Sequence, residues 1–232
     1  MKKRAFGSAV FAAALLVAAV AAYGWEADFE PATFNPAVGE TVEFAICEPC
    51  LESSGSFTYS WDFDGDGNVD LDTGEAIVEY AFQVEGYYEV AVELKDQDGR
   101  RKSARKGILV GEVPAYAVRE TVAQGDGTIF VLLTIHINGP VTAPGIQESM
   151  PRGWQVELLD DGGAMAAVVN PVDRTYDVLY ATALEAGDER TFSYRLHPAG
   201  ATPPAELGGA LSGHTGGARF VNEICGALEG TP

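Results

Sequence analysis

The sequence feature that most limits the fold is a strict alternation of aromatic and polar side chains. Residues 57–64 read Phe-Thr-Tyr-Ser-Trp-Asp-Phe-Asp, so that every second residue is aromatic. In an extended strand successive side chains point to opposite faces, which predicts one core face and one face exposed to water or to a ligand. Similar short alternating runs, separated by Gly, Asp and Pro turns, fill residues 25–111, and no amphipathic helix pattern stands out. The fold predicted is therefore all-β, built as an antiparallel sandwich.

The chain divides into an N-terminal leader and two β-rich parts. In the first part we predict strands at 41–47, 56–63, 76–82, 87–95 and 102–110. Residues 112–114 end this pattern with Glu-Val-Pro, which suits a linker because proline cannot donate to a central ladder. Further strands are expected at 127–137, 154–159, 164–170, 176–182 and 190–196. These form a second sandwich over 115–200, to which the Gly-rich residues 201–232 are expected to add a strand or two.

Residues 1–22 have the order of a secretory signal peptide. Lys2, Lys3 and Arg4 precede an apolar run that ends with an Ala-x-Ala pattern at Ala19 and Ala21. An uncleaved anchor is the alternative, because the run approaches the length of a membrane span. We predict cleavage, no membrane insertion afterwards, and a secreted or cell-surface protein.

The charge of the chain limits its partners. Fifteen Lys and Arg stand against 34 Asp and Glu, a formal net charge of −19. This sign is wrong for neutralising phosphates, so nucleic acid is an unsuitable partner.

The first β-rich part resembles the PKD domain, an immunoglobulin-like sandwich, over residues 25–111. The resemblance rests on Tyr-Ser-Trp-Asp-Phe-Asp-Gly-Asp-Gly at 59–67, Tyr-Ala-Phe at 80–82 and Gly-Tyr-Tyr-Glu-Val at 86–90. It implies that Trp61 packs in the core and that Tyr88 hydrogen-bonds back to the chain as a tyrosine corner. The second part resembles immunoglobulin-like repeats of secreted bacterial surface proteins, through Glu-x-x-Pro-x-Gly-Trp at 148–154. The fold expected is thus two tandem immunoglobulin-like β-sandwiches.

One loop carries oxygen donors at every second position. The donors are Asp62, Asp64, Asp66, Asn68 and Asp70, with Gly67 where such a loop turns sharply. Alternate oxygens in a tight loop can surround Ca²⁺, which takes 6–8 oxygen ligands. The loop lacks the bidentate Glu of an EF-hand, because Thr73 stands at position twelve. The alternative is that these residues only make turn hydrogen bonds.

The chain has three cysteines, Cys47, Cys50 and Cys225. In an exported protein they predict a disulfide, either Cys47–Cys50 or a tether from one of these to Cys225. The C-x-x-C spacing also occurs in redox motifs, but those lie at a helix N-terminus in a βαβ context, unlike here.

The function predicted is non-catalytic. No nucleophile elbow or phosphate-binding glycine loop is present. PKD domains commonly accompany secreted enzymes and adhesion proteins, which implies a binding, adhesion or spacer module for extracellular protein or polysaccharide. Trp154 is a candidate for contact with such a ligand, or else it covers a sandwich edge. The alternatives are a small secreted hydrolase with its site in the second part, or a structural part of an extracellular assembly joined through edge strands.

Overall fold

A computed structural model describes residues 26–47, 51, 56–200 and 205–230. The predicted signal peptide at 1–22 lies outside these residues. All the regular secondary structure in the described ranges is β, which confirms the all-β prediction. Over these same ranges, no helix is long and apolar enough to cross a membrane.

The first part of the chain forms two facing sheets. Its strands are β1 (Phe29–Pro31), β2 (Thr41–Ile46), β3 (Phe57–Asp62), β4 (Leu71–Thr73), β5 (Ile77–Ala81), β6 (Gly86–Asp96) and β7 (Arg101–Val110). One sheet has the order β1-β2-β5, and the other contains β4-β3-β6-β7. All pairings here are antiparallel.

The core between these sheets is rich in aromatic rings. Trp61 is fully buried, and its ring lies 5.2 Å from the Phe29 ring in an edge-to-face arrangement. On the same side of β3, Phe57 and Tyr59 are also buried, whereas Thr58 is exposed. The predicted alternation of core face and wet face is therefore confirmed.

The second part is also built from two sheets. Its strands are β8 (Ala115–Ala123), β9 (Ile129–Ile137), β10 (Thr142–Ser149), β11 (Trp154–Asp160), β12 (Ala166–Asn170), β13 (Thr175–Leu179), β14 (Glu189–Pro198), β15 (Ala205–Glu206), β16 (Gly209–Thr215), β17 (Ala218–Glu223), β18 (Cys225–Ala227) and β19 (Glu229–Gly230). A five-stranded sheet has the order β12-β13-β10-β16-β17 and faces the strands β11-β14-β9-β8. Their core is separate from the first and is drawn from residues 115–224. Strands β8 and β10 were not expected from the sequence.

The short strand β18 joins the two parts. It pairs antiparallel with β7 and parallel with β8, so that one nine-stranded sheet runs β11-β14-β9-β8-β18-β7-β6-β3-β4. Gly226 lies at its centre, opposite Gly107 on one side and Arg119 on the other. At Gly226 φ is +82°, and a Cβ would lie 2.3 Å from the Arg119 carbonyl oxygen, so only glycine fits there without displacement.

Polar and apolar contacts also cross between the parts. The Asn138 side-chain amide donates to Asn35 Oδ1 at 3.1 Å, and Leu109 lies in one apolar cluster with Val118 and Cys225. The predicted linker, residues 112–114, lies between the two cores. Because β18 continues one sheet from β7 of the first part to β8 of the second, the division of the chain into two tandem domains stays a prediction.

Candidate calcium loop and its surroundings

The oxygen-rich loop connects β3 to β4 at one end of the first sandwich. Asp62 is the last residue of β3, and Asp70 directly precedes β4. The Asp70 amide donates to the Trp61 carbonyl at 2.8 Å, which closes the loop on the strand that carries the buried tryptophan. The loop is thus anchored to the core of the sandwich.

Two carboxylates organise the backbone of this loop. Asp62 accepts from the amides of Gly65 and Gly67 at 2.7 and 2.9 Å. Asp70 accepts from the Phe63 amide at 2.7 Å. Both glycines have positive φ, of +74° and +84°, which lets the chain curl round the Asp62 carboxylate. The turn hydrogen bonds that the sequence suggested are therefore present.

Three carboxylates converge in the loop. One oxygen each of Asp62, Asp64 and Asp70 lies within 4.8 Å of the others. Two like charges about 4 Å apart repel by about 1 kcal/mol in water, and a cation placed among these carboxylates would relieve that repulsion. Carboxylate oxygens are the ligands that Ca²⁺ prefers.

Asp66 and Asn68 are turned toward each other. Asp66 accepts from the Asn68 backbone amide at 2.7 Å and from its side-chain amide at 2.9 Å. These two hydrogen bonds from Asn68 lower the pKa of Asp66. Asp66 does not join the group formed by Asp62, Asp64 and Asp70. The structure thus brings together three of the four predicted carboxylate ligands.

The Tyr88 hydroxyl makes the hydrogen bond that the resemblance to the PKD domain implied. It donates to the Val84 carbonyl, four residues upstream, at 2.9 Å, as a tyrosine corner does. Residues 31–106 match the PKD domain family. The match contains β2 to β6 and the whole acidic loop, and it confirms the resemblance read from the sequence. No curated protein sequence matches the chain.

Three solved structures are similar to this chain at low sequence identity and low TM-score. A carbohydrate-binding module of the β-sandwich superfamily is 14% identical, with a TM-score of 0.36 over 90% of this chain and 98% of that one. The collagen adhesin of S. aureus is 10% identical, with a TM-score of 0.35 over 88% and 92%. A chitinase from Bacillus thuringiensis is 12% identical, with a TM-score of 0.38 over 84% of this chain and 28% of that one.

Beside the acidic loop, the PKD region has a shallow polar groove on its outer sheet face. The groove is lined by Thr58, Ser60, Asp72, Thr73, Glu93, Lys95 and Arg101. The Ser60 hydroxyl donates to Asp72 at 2.5 Å, and Arg101 pairs with Glu93 at 2.5 Å. The groove therefore offers hydroxyls and charges of both signs, and Asp72 and Thr73 follow directly after Asp70.

Trp154 does not line an exposed surface. It is 5% exposed and belongs to the second core, where it starts β11 opposite Pro198. Trp154 is therefore not available for the ligand contact suggested from the sequence, because the sandwich covers its ring. It has the alternative role, which is packing.

Cys225 lies in a small apolar cluster between the PKD region and the second part. It is free and fully buried beside Leu109 and Val118. Burial raises the pKa of its thiol to about 12. A tether from Cys225 to the other cysteines is therefore not formed. The Cys47–Cys50 pairing stays a prediction, because Cys50 lies outside the described residues.

A buried ion pair in the second part was missed by sequence reasoning. Arg119 Nη2 donates to both oxygens of Glu148, at 2.8 and 3.0 Å, and the Tyr194 hydroxyl donates to Glu148 at 3.2 Å. Arg119 Nη1 also donates to the Ala227 carbonyl of β18 at 2.8 Å. Burial is the largest single effect and acts to lower the pKa of Arg119, but the charge and hydrogen bond of Glu148, together with Tyr194 and Tyr87, outweigh it and the pKa is raised. The available signal in the sequence was Arg119 itself, a charged residue within a mostly apolar run.

Proposed function

We propose that this protein is an exported, non-catalytic binding module whose PKD region holds Ca²⁺ in the loop from Asp62 to Asp70. The observation that carries the proposal is the convergence of Asp62, Asp64 and Asp70 within 4.8 Å. These three carboxylates supply the first ligands, and backbone carbonyls and water supply the rest of the 6–8 oxygens.

Calcium binding at this loop should be weak. Both oxygens of Asp62 and one oxygen of Asp70 already accept backbone amides, so fewer lone pairs face a cation. Extracellular calcium modules bind with Kd values of about 10⁻⁴–10⁻³ M. We expect a value in this range, because several carboxylate oxygens of the loop already accept backbone amides. The ion would stiffen the connection between β3 and β4.

The groove beside the loop is the proposed ligand surface. Its hydroxyl groups at Thr58, Ser60 and Thr73 and its charges at Lys95 and Arg101 suit hydrogen bonding to a polar chain. The ligand class proposed is an extracellular polysaccharide or an extended polar segment of a protein. Because β4 forms one wall and starts directly after Asp70, ordering of the loop by calcium would also order the groove.

Binding of the signal-free protein to cellulose, chitin, xylan, collagen and intact envelope preparations tests this proposal. Each probe is tested in calcium and in EDTA, with Asp64→Asn to weaken the loop and Lys95→Ala to alter the groove. Retention in calcium that falls in EDTA and in both variants supports the proposal. Retention that both variants leave unchanged would reject the groove as the ligand surface. No retention on any probe would reject this ligand class.

A further inference from the structure

Exposed apolar side chains are concentrated at one edge of the second part. Twelve large hydrophobic residues are exposed in the described chain, and seven of them fall between residues 158 and 179. The seven are Leu158, Leu159, Met165, Val168, Val169, Val172 and Leu179. This region contains β11 and β12, the outer strands on the same side of the two facing sheets.

The sandwich is incompletely closed at this edge. Leu158 lies directly opposite Tyr194, and Val169 lies directly opposite Tyr176, so both side chains point toward the core. The two tyrosines are 2% and 1% exposed, yet Leu158 and Val169 remain 40% and 41% exposed. Inward-facing residues with this exposure leave apolar surface that a further strand would cover.

Strand β12 lacks the features that protect an edge from pairing. Its residues are Ala-Ala-Val-Val-Asn, without charge or proline. The other outer strands of the described sheets all carry at least one charged side chain, among them β17 with Arg219 and Glu223. Natural edge strands are usually blocked by charge, proline or a bulge, because their free backbone groups accept another chain.

We infer that β12 is an interface with a second copy of this chain, paired antiparallel about a two-fold axis. In a two-fold antiparallel pair, the start of one strand lies beside the end of the other. Met165, which is 64% exposed just before β12, would then lie near Val172 of the other copy, which is 87% exposed just after it. Each copy therefore supplies an apolar residue at both ends of the interface.

Charge favours the same orientation. Asp160 and Asp161 precede β12, whereas the turn after it contains Asp173 and Arg174 and has no net charge. An antiparallel pair places the acidic turn of one copy beside this neutral turn of the other, and a parallel pair would place acid beside acid. In a chain with net charge −19, an uncharged strand is also the segment that a second copy can approach with least repulsion.

Sedimentation across micromolar to submillimolar concentrations tests this interface, and it does not depend on calcium or on the proposed ligand. Val168→Lys on β12 is compared with Val221→Lys on β17, because both valines are 55% exposed on outer strands of the same sheet. We expect a monomer–dimer equilibrium, at least about tenfold weaker in Val168→Lys and unchanged in Val221→Lys.

Hydrogen exchange provides a second measurement that does not rely on a variant. The amides of residues 166–170 should become more protected as concentration rises, while those of β17 should not. A monomer at all concentrations, an equal effect of both lysine variants, or concentration-independent exchange in β12 would overturn the inference.

Discussion

Replacing Glu148 with leucine removes one partner of the buried ion pair between β8 and β10. The side chains of Arg119 and Glu148 are 0% and 2% exposed, so water cannot take over the lost contact. Removing one partner of a buried pair costs about 3–5 kcal/mol, because a charge is left in the interior without compensation. The Tyr194 hydroxyl also loses its acceptor, so we expect the upper half of this range.

The double variant Arg119→Met/Glu148→Leu removes both buried charges at once, so it shows how much of the loss comes from leaving one charge unpaired. It leaves no buried charge, and it loses the hydrogen bonds from Arg119 to the Ala227 carbonyl and from the Tyr194 hydroxyl to Glu148. We therefore expect it to cost about 1–3 kcal/mol, less than Glu148→Leu alone. The exposed pair Arg101–Glu93 is the control, with an expected coupling of about 0–1 kcal/mol.

Urea unfolding followed by circular dichroism measures these free energies of unfolding, and a double-mutant cycle gives the coupling. Glu148→Leu within about 1 kcal/mol of the parent would refute the argument, since a typical surface substitution costs no more. A double variant that costs the sum of the two single variants would also refute it.

Two further predictions concern β18. Gly226→Ala should lower the free energy of unfolding by more than the ~1–2 kcal/mol of left-handed backbone strain alone, because the new Cβ would clash with the Arg119 carbonyl. Gly99→Ala is the control in the same melting experiment, because Gly99 has a similar φ and open space around it, so its cost is the strain alone. Cys225 should react with a thiol reagent at pH 8 only after unfolding, because burial raises its pKa to about 12; fast labelling of the native protein would contradict this placement.

The local pattern of the first sandwich could be predicted from the sequence. Strand β3 is unambiguous because large aromatic residues alternate with small polar ones over its whole length. The acidic loop was likewise evident from its spacing. Its actual geometry was not, because the pairing of Asp66 with Asn68 depends on backbone angles that the spacing leaves open.

The missed strands have identifiable causes. Strand β10 begins Thr-Ala-Pro-Gly, which is typical of a turn, and it contains a register shift between Thr142 and Gly145. Strand β8 alternates weakly, because alanines fill inward positions and the inward Arg119 is charged. The insertion of β18 between β7 and β8 joins residues more than a hundred positions apart, and no local pattern encodes such a pairing.

Titration calorimetry with Ca²⁺ tests the central claim most directly. The parent protein should bind one ion with a Kd of about 10⁻⁴–10⁻³ M, and Asp64→Asn should weaken binding by at least about tenfold. Asp64 is the best position because its side chain makes only one long loop contact, 3.2 Å from the Asp66 amide. Asp98→Asn, an equal charge change in another turn, should bind as the parent does. No binding heat at about 10 mM calcium, or equal affinity in Asp64→Asn and the parent, would contradict the calcium site.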